Sequence, residues 1–106
     1  MVRPQRTAVT AEAMQRAGVL REVPLLQALA ALGAHCKEDR SYAPTHNKTA
    51  RRFHVSVSGQ DFELLIRDKK WFDIRADTGG GGTIDLTMHL FSESFTRAVQ
   101  RLNRVI

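Results

Sequence analysis

Residues 51–75 read RRFHVSVSGQDFELLIRDKKWFDIR, and the period of this stretch decides the fold class. Phe53, Val55 and Val57 alternate with His54, Ser56 and Ser58, as a half-buried strand requires when successive side chains point to opposite faces. Gly59 and Gln60 interrupt the run, and DFELLIR resumes it with Phe62, Leu64 and Ile66 on the inward side. A second break at Asp68, Lys69 and Lys70 leads into WFDIR, where Phe72 and Ile74 continue the inward series. Three short runs joined by tight turns predict an antiparallel meander. Its outer face is then expected to carry His54, Ser56, Arg67, Trp71, Asp73 and Arg75.

Moving outward, the period changes from two to 3.6. On the C-terminal side, Ile84, Met88, Phe91 and Phe95 fit one helical face. After a break at residues 92–94, Phe95, Ala98, Val99, Leu102 and Val105 define a second helix with Ser94 as its N-cap. On the N-terminal side, Thr10 to Ala17 predicts a short helix with Thr10 as N-cap and Gly18 past its end. VPLLQALAALGA predicts another, with Leu25, Leu29 and Leu32 sharing a face and Gly33 as the stop. Residues 1–9 are expected to fray. Residues 37–51 have turn formers and charges without periodicity and read as a loop. The expectation is a single α+β domain over 1–106, a small antiparallel sheet of three to four strands covered on one face by N- and C-terminal helices.

The 106 residues include 16 Lys and Arg against 11 Asp and Glu. A basic domain gathers polyanions by long-range attraction and counterion release. Cys36 is the lone cysteine, which excludes an intramolecular disulfide and any multi-cysteine zinc site and fits a reducing compartment. No apolar run approaches the roughly 20 residues that cross a bilayer, and no signal segment opens the chain. A cytoplasmic location and no membrane partner are expected.

Four consecutive glycines, Gly79 to Gly82, separate the meander from the C-terminal helices. Glycine loses more freedom on ordering than any other residue, so the run implies a close approach or a backbone conformation that a Cβ forbids. Two readings stay open: a tight strand-to-helix crossing, and an anion nest of backbone N–H groups at a helix start. A Walker loop is excluded, since its Lys and Ser/Thr are absent.

The glycines Gly80, Gly81 and Gly82, then Thr83, Ile84, Asp85 and Leu86, then Ser94, Phe95, Ala98 and Val99, follow an order that is similar to the zinc-ribbon domain opening bacterial DNA primases. The likeness is best from Lys69 to Leu102. The chain also resembles zinc-free relatives of that domain that accompany toprim modules in plasmid and mobile-element proteins. The family's zinc ligands are Cys, His and two further Cys. Here Cys36 is followed three residues on by Asp39, and residues 73–78 hold no cysteine, so zinc held in the family's manner is not expected. The resemblance implies a zinc-ribbon-like fold without zinc. Phe53, Phe62, Phe72, Phe91 and Phe95 would then supply the stability that the metal gives elsewhere.

The four histidines show no paired ligand spacing, and neither a metal site nor a cofactor is expected. The acids are scattered, and His35 and Cys36, adjacent on a strand, point to opposite faces. No enzyme is expected, and Cys36 reads as an inert thiol. Asp85 is expected to favour the first turn of its helix through the N-terminal dipole. The candidate site is a nucleic-acid platform. Lys48, Arg51, Arg52, Arg67, Lys69 and Lys70 would meet phosphates while Trp71 stacks a base. Arg97, Arg101 and Arg104 form a second basic stripe, read as a solvated helix face. With the resemblance, the expected function is non-catalytic binding of single-stranded DNA in replication or transfer of a bacterial mobile element. The domain would be an accessory of a primase, helicase or relaxase. The alternative is a protein-interaction or regulatory module docking on a replication or conjugation protein through the same exposed sheet edge or its helices.

Overall fold

The computed structural model describes residues 11–43 and 49–106. Two helices, α1 (Ala11–Arg21) and α2 (Leu25–Ala31), precede five strands: β1 (His35–Asp39), β2 (Arg51–Val57), β3 (Gln60–Arg67), β4 (Lys70–Asp73) and β5 (Thr78–Gly81). Helices α3 (Thr83–Phe91) and α4 (Phe95–Val105) complete the chain. The strands follow one another in spatial order β1-β2-β3-β4-β5, every pair antiparallel. The molecule is thus an α+β domain built on a meander, with its helices on one face of the sheet.

Two-residue turns fix the register. Between β2 and β3, Val57 pairs with Gln60, and Ser58 and Gly59 both take positive φ, 52° and 77°, the combination that continues the right-handed twist of the strands. Between β3 and β4, Arg67 pairs with Lys70 and Ile66 with Trp71, with Asp68 at φ 54°. The break at Asp68, Lys69 and Lys70 is therefore one residue shorter than the sequence reading assumed. A slip of one residue turns every side chain of the strand over. Trp71 and Asp73 consequently face the helices, and Phe72 faces outward, which corrects the expected phase of this strand.

The core has two parts. Phe53, Val55, Val57, Leu64, Ile66 and Trp71 of the sheet meet Leu25 and Leu29 of α2 and Leu86 and Leu90 of α3. Behind them, Ala17 and Leu20 of α1, Ile84 of α3, and Ala98, Val99 and Leu102 of α4 form a second cluster. Helix α3 belongs to both, because its apolar residues wrap more than half its circumference. Of the five phenylalanines expected inside, Phe53 is buried, Phe62, Phe91 and Phe95 are half-buried, and Phe72 lies outside the core.

Three element boundaries differ from the sequence reading. Helix α1 continues through Gly18 to Arg21, since burial of Leu20 outweighs the roughly 1 kcal/mol that a helical glycine costs. Residues 37–39, read as loop, belong to β1. Three of the glycines form an edge strand with Thr78, and Gly82 alone makes the crossing into α3, at φ 85°. Residues 1–9, the Thr10 cap, His46 and Lys48 lie outside the described residues.

Candidate nucleic-acid interface

The face of the sheet away from the helices is built from registered rows. One row runs Asp39, Arg52, Leu65, Phe72, Gly79 across all five strands. To one side stand Lys37, His54 and Glu63, and to the other Arg67, Lys70 and Gly81. Phe72 is 37% exposed. It packs along bare backbone, for a Cβ on Gly79 would come within 2.9 Å of Phe72 Cδ1 and of the Trp71 carbonyl oxygen. Leu65 and Phe72 together form a small apolar island in a polar surface.

The charges around this island are unequally engaged. Arg52 Nη2 donates to Glu63 Oε2, and its Nε lies 3.9 Å from Asp39 Oδ2. Arg75 Nη2 reaches the other oxygen of Glu63 at 3.4 Å. The Arg52 hydrogen bond is the main cause that holds the Glu63 carboxyl below the usual glutamate range. His54 Nε2 lies 3.7 Å from Asp61, which also accepts from Ser56. Arg67 and Lys70 are exposed and have no ion-pair partner among the described residues.

The seven residues expected to form the site are thus separated. Arg52, Arg67 and Lys70 share the outer face. Arg51 does not: its register partner is Ile66, it forms a two-pronged bond to Glu38 at 2.8 and 2.7 Å, and its guanidinium lies 5.1 Å from the Phe53 ring centroid. Lys69, in the β3–β4 turn, donates to Glu22 just beyond α1. Lys48 is not among the described residues. Trp71, expected to stack a base, is 5% exposed and packed in the core, and its indole N–H has no acceptor among the described residues. Its place as the outward aromatic is taken by Phe72, which the turn length in the sequence could have revealed.

Asp73, also expected outside, is 3% exposed. Its burial is tolerated because both oxygens are bonded. Oδ1 accepts the Arg75 and Ala76 N–H groups at 3.0 and 3.1 Å, and Oδ2 lies 2.7 Å from His89 Nε2. The His89 ring also lies over Trp71, with centroids 4.7 Å apart. This contact fastens α3 to the end of β4, one strand in from the sheet's edge, and takes one carboxylate off the outer face.

The glycine run has its own occupant. Asp85, in the first turn of α3, accepts the Gly81 N–H at 2.9 Å, and the Gly82 N–H donates to the Lys69 carbonyl at 2.7 Å. Two of the N–H groups that the anion-nest reading requires, those of Gly81 and Gly82, are thus satisfied by the protein itself. Cys36 is half-buried, and burial raises its pKa, as suits an inert thiol. Among the described residues no group of three His, Cys, Asp or Glu is arranged to hold a metal ion, and no helix is long and apolar enough to cross a membrane. No protein-family model, curated protein or solved structure matches the chain.

Proposed function

We propose that the outer face of the sheet binds single-stranded nucleic acid, single-stranded DNA in the first place, without carrying out a reaction on it. The observation that supports this reading is Phe72, an exposed aromatic on a pleated surface, with two cations in the adjacent row, Arg67 and Lys70, that have no ion-pair partner among the described residues. An aromatic face accepts any base by stacking, and neighbouring cations hold the phosphates on either side of it. A duplex would offer no base face to such a platform, which favours a single strand. The resemblance of the glycines and C-terminal helices to primase ribbons is what supports assigning this activity, as part of the proposal, to replication or transfer of a bacterial mobile element, in the cytoplasm, beside a primase, helicase or relaxase.

Fluorescence anisotropy with a labelled oligonucleotide of about 12 nucleotides tests the reading. The expected affinity is micromolar at about 50 mM salt, and log K falls with log salt at a slope near −1.4, about −0.7 for each of two phosphates. Phe72→Ala should weaken binding about tenfold, within the range known for loss of one stacked base. Neutralising Arg67 and Lys70 together to Gln should flatten the salt slope. Absence of binding at low salt ends the reading. In that case the Leu65–Phe72 island favours the second one, a surface that docks a replication or conjugation protein.

A further inference from the structure

We infer that Glu63, with Arg52 and Arg75, reads the edge of a base stacked on Phe72 and selects guanine. The inference rests on the binding reading above and names the chemistry of that same face. Phe72 stands directly opposite Leu65, and Glu63 is two residues from Leu65 on the same face of β3. This is the diagonal relation across an antiparallel pair, with backbones about 7–8 Å apart. The pairing continues past Asp73, since the Ile74 N–H donates to the Glu63 carbonyl at 2.9 Å. A base laid over Phe72 and offset toward β3 therefore brings its polar edge to the Glu63 carboxylate.

The carboxylate presents two acceptor oxygens between two donor forks. Arg52 is the firm partner, bonded to Glu63 and set beside Asp39. Arg75 is the loose one, at 3.4 Å with a side chain 55% exposed. Guanine matches this row better than any other base. Its N1–H and N2–H groups are adjacent donors for the two carboxylate oxygens, while O6 and N7 are adjacent acceptors for a guanidinium. Adenine and cytosine each offer a single amino group on the corresponding edge, and thymine flanks its one N–H with two carbonyls that the carboxylate repels. Glu63, whose carboxyl titrates below the usual glutamate range beside Arg52, is ionised at neutral pH, so it accepts and does not donate. Releasing Arg75 from Glu63 costs little, as exposed ion pairs are weak, and frees that guanidinium for the base.

The test is competition among oligothymidylates of about 12 nucleotides with a single central G, A, C or T. The native protein should prefer the G-containing strand about tenfold, the order of one two-pronged base contact. Glu63→Gln, checked for an unchanged far-ultraviolet spectrum, should keep affinity for plain oligothymidylate and lose the preference. Equal affinities for all four strands in the native protein would overturn guanine selection and leave the platform standing. So would a Glu63→Gln variant that tightens on all four equally, since Glu63 would then act only by repelling phosphate. Failure of every strand to bind overturns the platform and the selection together.

Discussion

At Gly80 and Gly81, neighbours in β5, a single methyl group should act in opposite directions. A Cβ on Gly80 would lie 1.8 Å from Asp85 Oδ2 and 2.9 Å from Trp71 Cζ2. One of these is a carboxylate engaged with Gly81, the other an indole fixed in the core. Gly80→Ala should therefore destabilise the protein by about 1–3 kcal/mol, the usual cost of overpacking. A Cβ on Gly81 meets nothing closer than the Lys69 carbonyl oxygen at 3.7 Å, and Gly81 is not among the positive-φ glycines. Gly81→Ala should stabilise by about 0.4–1 kcal/mol by narrowing the unfolded ensemble. Urea titrations of the two variants decide the pair. The sequence implied close approach for the whole run, and the structure assigns it to Gly79 and Gly80, with a positive φ at Gly82. What approaches could not be read in advance, because the Trp71 ring and the Asp85 carboxylate come from two different elements.

Among the elements, α4 was the most legible. Ser94 precedes an amphipathic run and accepts the Arg97 N–H at 3.3 Å, while Ala98, Val99 and Leu102 are buried. Glu93, the residue before the cap, ties down the helix further along. Its side chain is 8% exposed and takes both prongs of Arg101 at 2.6 and 3.1 Å. Arg101 also lies 3.9 Å from the Phe91 ring centroid. The bond to Arg101 outweighs burial and lowers the Glu93 pKa from its ordinary 4.5. A carboxyl whose pKa is lower in the folded state stabilises fully above its unfolded value and progressively less as pH falls through the folded one. Unfolding free energies measured from pH 7 down to about 3 should therefore fall more gently in Glu93→Gln than in the native protein below about pH 4.5. Ser94→Ala, by contrast, should cost about 0.5–1 kcal/mol at every pH, as the loss of a neutral cap does. Strand β4 is legible in its alternation but not in its phase. Alternation gives two equivalent faces, and only the length of the Asp68–Lys69 turn chooses between them.

In the molecule as a whole, the α+β layering followed from periodicity, whereas the two edges of the sheet did not. HCKED and TGGG carry neither an apolar alternation nor β-branched residues beyond Thr78. Edge strands are held by backbone pairing to a neighbour and are kept charged or bare against further pairing, so their membership shows only when the neighbour is in place. The same layering separates the two adjacent aromatics by role. Trp71 sits between the sheet and α3, so Trp71→Ala should cost about 3–5 kcal/mol, the range for emptying a large aromatic site. Phe72 lies on the outer face beside Leu65 and Gly79, so Phe72→Ala should cost no more than about 1 kcal/mol. Trp71 is the protein's one tryptophan, so its emission reports the core directly. Native emission should be blue-shifted, unchanged by Phe72→Ala, and unquenched by iodide before unfolding. If iodide instead quenches the native protein freely and oligonucleotide protects it, the indole is outside, the β3–β4 register is one residue off, and Trp71 is the base-stacking residue after all.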